Sequence, residues 1–190
     1  VQLKTFAGTL VYDVDPYPAS PFDQNNLGAA LWPQTDEELA AGVTPTYYYY
    51  EPGDVRRYGS GQTAFQSALT VGGEVSVDGS TYTLSGSALT VSSNTTIRCH
   101  RNTVISQSAA GQPAISGSDV ENVTIIGGEW VGANNTSAID SGDGGIIYID
   151  NRGAVNGNIR ISETKVRRSG TSGISVINAN SLWVHFNEIS

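Results

Sequence analysis

The sequence predicts a mostly β protein whose strands coil into a parallel β-solenoid. Three observations lead to this prediction. Glycine is the commonest residue, with 22 of 190, and charged residues make up only 15%, a balance that favours strands and turns over helices. From residue 74 onward the chain reads as short strands rich in Val, Ile and Thr. These strands recur at intervals of about 25 residues, with insertions of variable length, which is typical of the stacked turns of a solenoid.

Residues 1–46 are predicted to form a small adaptor unit and linker. "LKTFAGTLVYDVD" indicates one or two strands, and "PYPASPFDQNNLG" reads as a proline-rich loop. "TDEELAAG" predicts a short helix, because Thr35 is a suitable N-cap, acidic residues fill the first turn and Gly42 follows the C-terminal end. The unit is too small and irregular for a full hydrophobic core of its own.

The second unit, residues 47–190, is predicted to begin with the tyrosine run Tyr47–Tyr50. We expect this run to be extended, so that Tyr48 and Tyr50 lie on one side and the other two tyrosines on the opposite side. One pair would pack on the solenoid or on a neighbouring chain, and the other would present its hydroxyl groups to water. In the alternative interpretation, the run is a strip on which sugars stack.

A short amphipathic helix is predicted at residues 62–69, after the tyrosines. Two helical turns are marginal in water, so the helix must lie on something, and we expect it to cap the first turn of the solenoid. The Arg56–Arg57 pair before it is expected to be solvated or to contact another subunit. The apolar face of the helix consists of Ala64, Phe65, Ala68 and Leu69.

The strand repeat is anchored on the segments "NTTI", "NVTI", "NIRI" and "SLWV". Their last residues are 28, 36 and 23 positions apart, which fits fixed strands joined by loops of variable length. An upstream strand also recurs: "GIIYIDN" (145–151) aligns with "GISVINA" (173–179) at an interval of 28, and "AISGSD" (114–119) is a weaker third copy. The anchors end at Ile97, Ile125, Ile161 and Val184, and the last three are followed five positions later by Trp130, Val166 and Ile189.

Alternation along the anchors predicts which side chains form columns. Thr124, Arg160 and Trp183 share an outward column, in which the Arg160 guanidinium lies over the Trp183 ring and the pair offers a carbohydrate or subunit contact. Ile126 and Ile147 are also expected to point outward. The inward column is predicted to contain Val123, Ile125, Ile159, Ile161, Leu182 and Val184.

A second outward column is predicted at Glu129, Lys165 and Glu188, four positions after each anchor. Its simplest interpretation is a solvated ladder of opposite charges. The alternative makes Glu129 and Glu188 the two carboxylates of a glycoside hydrolase, because two solenoid turns fit the separation of about 5–9.5 Å that this reaction requires. A lysine between the two carboxylates favours their charged forms, however, which does not suit a general acid.

The aspartates suggest one further column and one weak site. Asp119, Asp150 and Asn178 are predicted to stack at one corner and to form hydrogen bonds along the axis. A catalytic or calcium site would use Asp140 and Asp143 of the long insertion together with Asp150. This spacing does not match an EF-hand loop, so no cofactor or metal is predicted.

The stretch from "PGDVRRYGSGQTAFQSAL" to "GGEVSVDGSTYTLSGSALTVSSNTTIRC" resembles the leading segment of pectate-lyase-like right-handed β-helices, especially bacteriophage tailspikes. The preceding "WPQTDEELAAGVTPTYYYYEPGDVRRYG" is similar to the linker that many tailspikes carry ahead of the β-helix. The chain departs from the family where it has "GSGQTA", because the family often has "GDGxTDDTxA". The resemblance, which covers residues 32–190, implies a right-handed parallel β-helix.

The same resemblance implies a phage tail spike or fibre component located in the virion. Residues 1–46 would attach to the virion tail or to another spike, the chain would be a homotrimer, and the β-helix would face host surface polysaccharide. Members of the family often cleave that polysaccharide, as hydrolases or lyases. We expect residues 1–190 alone to be inactive, because they form too few turns for the usual catalytic groove.

Two alternatives stay open. One is the front part of a secreted bacterial polysaccharide lyase or glycoside hydrolase, and the other is a non-catalytic trimeric connector. A net charge of −8 argues against a nucleic-acid partner, and no segment is long enough for a membrane span. Because the sequence stops within a predicted turn, we expect the native protein to continue past Ser190 and the 190 residues alone to associate through an open end.

Overall fold

Parallel strands stacked in three sheets form a β-solenoid of about four turns, which begins at Gly73. This computed structural model describes residues 2–4, 10–13, 24–133, 145–153, 157–169, 172–185 and 188–189. The predicted solenoid is therefore confirmed.

The N-terminal residues form strands and helices before the solenoid begins. Strand β1 (Gln2–Lys4) pairs antiparallel with β2 (Leu10–Asp13). Helix α1 (Gln24–Leu31) is followed by α2 (Asp36–Ala40), which confirms the predicted short helix. Thr35 and Glu38 form a capping box at the start of α2, each side chain accepting a hydrogen bond from the backbone N–H of the other.

Helix α1 corrects the prediction of a loop over "QNNLG". The local sequence is a weak helix former, so contacts with the tyrosine run hold the helix in place. The Asn25 side chain accepts a hydrogen bond from Tyr48 N–H and donates one to the Thr46 carbonyl oxygen. A Cβ atom on Gly28 would lie 2.4 Å from the Tyr48 carbonyl carbon, so only glycine permits this close packing.

The tyrosine run Tyr47–Tyr50 forms a turn, so the predicted extended conformation is wrong. Tyr50 N–H donates to the Tyr47 carbonyl oxygen at 3.4 Å, and the N–H groups of Thr46 and Tyr47 both donate to the Arg57 carbonyl oxygen. These bonds fold the run back on the 3-10 turn Val55–Tyr58. A tertiary hydrogen bond to Arg57 therefore overrides the strand preference of tyrosine.

Helix α3 (Gly61–Val71) caps the first turn of the solenoid, as predicted, and is longer than expected at 11 residues. The aromatic ring of Phe65 packs edge-on against Tyr82 in the first turn, with ring centroids 5.3 Å apart. The predicted apolar face is confirmed, because the fully buried side chains of α3 are Ala64, Phe65, Ala68 and Leu69.

The described strands of the solenoid lie in three sheets, which we name in chain order. Two sheets contain five strands and one contains four, and every pairing within these three sheets is parallel. The first sheet contains β3 (Gly73–Val77), β6 (Thr95–Cys99), β9 (Val123–Ile126), β12 (Gly157–Ser162) and β15 (Ala179–His185). The second sheet contains β4 (Thr81–Leu84), β7 (Val104–Gln107), β10 (Glu129–Val131), β13 (Lys165–Arg167) and β16 (Glu188–Ile189). The third sheet contains β5 (Leu89–Thr90), β8 (Ile115–Ser118), β11 (Gly145–Asp150) and β14 (Ser172–Ile177).

The predicted register of the first two sheets is confirmed. Ile97, Ile125, Ile161 and Val184 are aligned across the first sheet, and Trp130, Val166 and Ile189 across the second. The inward side chains are fully or almost fully buried through β12. Leu182 and Val184 of β15 are instead 49% and 44% exposed, because no described strand stacks on β15. The two residues occupy the predicted inward column and are exposed because they lie at its uncovered end among the described strands.

The third sheet differs from the prediction by one residue. Ile147 pairs with Ile174 and Ile149 pairs with Val176, so the interval is 27 and not 28. Ile146 and Ile147 are both apolar, which leaves the alternation ambiguous in the sequence, and both are buried in the structure. The register places Ile147 opposite Ile115 and Ile174. Ile147 is consequently fully buried, and its predicted outward position is wrong.

The same shift changes the predicted column of aspartates. Asp150 pairs with Ser118 and Ile177, and so does not stack on Asp119 and Asn178. Asn151 takes that place: its N–H donates to the Ile177 carbonyl oxygen, and its side chain binds the N–H and carbonyl groups of Val120. Hydrogen bonding of an Asx side chain at this corner was expected, but the residue in the middle is Asn151.

Candidate functional site

The outer face of the first sheet carries a continuous column of exposed and half-buried side chains. Thr124, Arg160 and Trp183 are aligned on successive strands, as the alternation predicted. The Arg160 guanidinium carbon lies 5.2 Å from the centroid of the Trp183 ring, which confirms the expected cation–π pair. Trp183 is 54% exposed, so much of its ring stays open to a ligand.

A groove of about 410 Å³ runs along this column. One wall is a ladder of asparagine side chains at the start of the strands. Asn122 donates through Nδ2 to Asn94 Oδ1 at 2.9 Å, and Asn158 donates to Asn122 Oδ1 at 3.2 Å. Within the described chain the groove is lined by Thr96, Asn122, Thr124, Asn158, Ile159, Arg160, Ser181 and Trp183.

The asparagine ladder is a part of the groove that the sequence analysis did not assign. Its signal was present, because "NTTI", "NVTI" and "NIRI" all begin with asparagine. Asn94 and Asn122 have φ values of 59° and 56°, a left-handed conformation that asparagine tolerates better than most residues. The asparagines therefore redirect the chain where the strands of the first sheet begin, and their side-chain amides lie along the groove.

The chemistry of the groove suits a ring-shaped polyol. An exposed indole offers an apolar face, while amides and hydroxyls at its side both donate and accept hydrogen bonds. A sugar has the complementary combination, with C–H groups on its faces and hydroxyls around its rim. The groove is lined by residues of four successive strands, from Thr96 of β6 to Trp183 of β15, so a polymer can contact several turns of the solenoid at once.

The column of Glu129, Lys165 and Glu188 has the predicted register on the second sheet. Lys165 Nζ lies 3.0 Å from a Glu188 carboxylate oxygen. Glu129 instead pairs with the next basic residue, Arg167, at 3.2 Å. Both carboxylates are thus neutralised by a nearby cation, and a lysine stands between them in the register, an arrangement that does not favour acid–base catalysis.

Asp150 is held by a local clamp. Arg152 donates to both of its carboxylate oxygens at 2.7–3.1 Å, and the Tyr148 hydroxyl donates to Oδ2 at 3.0 Å. The hydrogen bonds from Arg152 lower the pKa of Asp150 from 3.8 to about 2. A carboxyl group with this pKa is a poor proton donor near neutral pH.

Asp140 and Asp143 lie outside the described residues. In the part of the chain that the structure describes, no group of three or more His, Cys, Asp and Glu side chains is arranged to hold a metal ion. Of the three aspartates, the structure therefore describes only Asp150, which forms the clamp with Arg152.

Tyr48 and Tyr50 have rings that are partly covered from within the chain. The Arg57 guanidinium carbon lies 5.2 Å from the Tyr48 ring centroid, and that of Arg56 lies 4.3 Å from the Tyr50 centroid. Tyr47 and Tyr49 are more open, at 38% and 39% exposed, with their ring centroids 5.5 Å apart. Guanidinium groups thus occupy one face of the Tyr48 ring and one face of the Tyr50 ring.

A buried ion pair, Glu38–Arg57, links α2 to the 3-10 turn ahead of the cap helix. Both side chains are fully buried, which corrects the expectation of a solvated Arg57. Arg57 Nε donates to Glu38 Oε1 at 2.6 Å, and the Tyr58 hydroxyl donates to the same oxygen at 2.8 Å. Other donors of Arg57 bind the carbonyl oxygens of Tyr50, Trp32 and Pro33.

The hydrogen bonds around Glu38 keep it charged. Burial by itself would raise the pKa of Glu38, but the hydrogen bonds from Arg57, Thr35 N–H and Tyr58 outweigh it and hold the pKa below its ordinary value of 4.5. Burial and the bond to Glu38 raise the pKa of Tyr58. This cluster joins the N-terminal helices to the solenoid and is remote from the groove.

Comparisons of this chain with protein-family models, with curated proteins and with solved structures found no match. No helix among the described residues is long and apolar enough to cross a membrane. Among the described residues, the groove on the first sheet is the feature on which we base a function.

Proposed function

We propose that this chain binds an extracellular polysaccharide through the groove on the outer face of its first sheet. The observation that carries the proposal is the pairing of an exposed indole, Trp183, with the guanidinium of Arg160 beside a ladder of asparagine amides. The solenoid supports it as well, because each turn adds one more position to the column at a spacing of about 4.8 Å. A polymer can then contact several turns at once.

In this proposal the chain belongs to a phage tail spike or fibre and its ligand is a host surface polysaccharide. The support is the resemblance of residues 32–190 to the leading segments of tailspike β-helices, together with a cap helix and solenoid in the order that the resemblance implies. Residues 1–46 would attach the chain to the virion tail or to another spike, and the assembled protein would be a homotrimer.

We propose binding without cleavage for residues 1–190. The candidate carboxylates Glu129, Glu188 and Asp150 are each ion-paired, which favours a binding or connecting role over a hydrolase or lyase. We expect no release of reducing ends or unsaturated uronates from bacterial surface polysaccharides. Release that is abolished by Asp150→Ala or Glu129→Ala would contradict this.

The test of binding uses an array of bacterial surface polysaccharides, followed by calorimetry on the best ligand. Trp183→Ala should weaken binding by about 1–3 kcal/mol, the usual contribution of an aromatic stacking platform. Trp32→Ala is the matched control, because Trp32 is 38% exposed and lies outside the groove. Equal affinity of Trp183→Ala and the wild type would rule out the groove as the binding site.

A further inference from the structure

We propose that the groove selects an acidic saccharide, and that Arg160 pairs with the carboxylate of that sugar. This inference rests on the proposed function, since it names the chemical class of the ligand for the same groove. It starts from the charges that line the groove. Arg160 is the one charged side chain in the described lining, and no carboxylate lies among the lining residues.

Arg160 differs from most basic side chains of the solenoid and its cap in the kind of partner that it contacts. Six of the described basic side chains have an acidic partner within 4.0 Å, whereas Arg160 contacts the ring of Trp183. An aromatic ring attracts the guanidinium but leaves its N–H donors unused. The six pairs are Arg56–Asp54, Arg57–Glu38, Arg98–Glu74, Arg152–Asp150, Lys165–Glu188 and Arg167–Glu129.

The nearest acid in the same column is also accounted for. Glu74 begins the column, and Thr96 and Thr124 lie between it and Arg160. Glu74 is three strands away from Arg160, which corresponds to about 14 Å along the solenoid axis. Glu74 already pairs with Arg98 at 3.1 Å. The guanidinium of Arg160 is therefore available to a ligand.

The form of the guanidinium favours a planar anion. Its parallel N–H groups match the two oxygens of a carboxylate, and such charge-assisted bonds are about twice as strong as neutral ones. Trp183 holds the guanidinium from one side and can stack the sugar ring that carries the carboxylate. The chain has a net charge of −8, so a polyanion gains nothing from the overall field and must be held by this local contact.

The experiment compares each uronate-containing surface polysaccharide of the array with its carboxyl-reduced form, which has the same backbone without the charge. Wild-type chain should bind the acidic form at least about tenfold more tightly, as expected for one charge-assisted hydrogen-bonded pair. In Arg160→Gln this preference should fall to within about twofold, and in Arg160→Lys it should be intermediate, because lysine keeps the charge but not the planar fork.

Arg101→Gln is the matched control, because it removes the same charge from an exposed residue outside the groove, and it should keep the tenfold preference. Equal binding of both polymer forms, or a preference that survives in Arg160→Gln, would overturn the acidic ligand. The proposed function would still stand if Trp183→Ala then abolished binding. If the wild-type chain bound none of the polysaccharides, acidic or neutral, the proposed function itself would be overturned.

Discussion

At the scale of single residues, the buried Glu38–Arg57 pair connects segments that are distant along the chain. Burying two charges is unfavourable unless their hydrogen bonds are satisfied, and here both carboxylate oxygens of Glu38 accept bonds from Arg57. The remaining Arg57 donors bind carbonyl oxygens of three other residues. The pair thus fixes the position of α2, the tyrosine turn and the 3-10 turn relative to one another.

We predict that Glu38→Ala lowers the free energy of unfolding by about 3–5 kcal/mol, because it leaves the Arg57 charge buried without a partner. Urea denaturation followed by circular dichroism measures this. Arg98→Ala is the control, since the Arg98–Glu74 pair is exposed and should contribute about 0–1 kcal/mol. Similar losses in the two variants would contradict the special role of the buried pair.

The clamp on Asp150 predicts a pH dependence of stability. Its pKa is about 2 in the folded chain, below its ordinary value of 3.8, so the ionised form favours folding. The stability that Asp150 contributes is therefore complete above about pH 5 and is lost as the pH falls through 2. The difference in unfolding free energy between wild type and Asp150→Asn should shrink over this range. A difference that stays constant from pH 6 to pH 2.5 would speak against the clamp.

At the scale of elements, helix α3 covers the strand edge at which the solenoid starts. An exposed edge offers unpaired N–H and carbonyl groups to other chains. Gln62 donates to the Ser87 carbonyl oxygen and accepts from Ser85 N–H, and Gln66 forms both kinds of bond with Thr90. The two side-chain amides therefore take the place of a neighbouring strand.

Replacing both glutamines with alanine should lower the free energy of unfolding by about 1–3 kcal/mol and expose the edge to self-association. Thermal unfolding and light scattering of the Gln62→Ala, Gln66→Ala variant measure the two effects. The matched control is Thr63→Ala with Ser67→Ala, which alters the same helix without touching these bonds. Unchanged stability and an unchanged particle mass would mean that apolar packing of α3 suffices to close the edge.

At the scale of the whole molecule, apolar surface bears on the predicted homotrimer. Ile147 no longer supports a trimer because it is buried, and Ile126 is half-buried. Trp183 remains exposed, and Leu182 and Val184 are 49% and 44% exposed. Trp183 lies on the outer face, whereas Leu182 and Val184 continue the inward column at the uncovered side of β15, where exposed apolar side chains can mark a contact with another chain.

We predict a particle of three chains, with a mass three times the 20.0 kDa of one chain, at micromolar concentration. Light scattering coupled to size-exclusion chromatography measures this mass. Substituting Leu182 and Val184 with serine should shift the equilibrium toward the monomer if β15 takes part in the contact. A wild-type monomer at micromolar concentration would refute the trimer.

Much of the fold follows from the sequence by itself. Period-two alternation and the repeated anchors determine the strands, the register of the first two sheets and the Arg160–Trp183 stack, because a strand with one clearly apolar face can be placed in a single register. The buried face of α3 and the N-cap at Thr35 follow in the same way from local spacing. The homotrimer, the virion location and the tailspike assignment remain predictions.

Tertiary structure decided the features that local pattern leaves open. Two adjacent isoleucines, Ile146 and Ile147, allow two registers of the third sheet, and the pairing of Ile147 with Ile115 and Ile174 selects one of them while both side chains are buried. Arg57 looks like a surface residue until Glu38, 19 positions earlier, is folded against it. The groove likewise arises only when turns 28 and 36 residues apart stack and bring Asn94, Asn122 and Asn158 into one ladder. In each case the deciding interaction joins residues that are distant along the chain, and its free energy exceeds the small preference of any local segment.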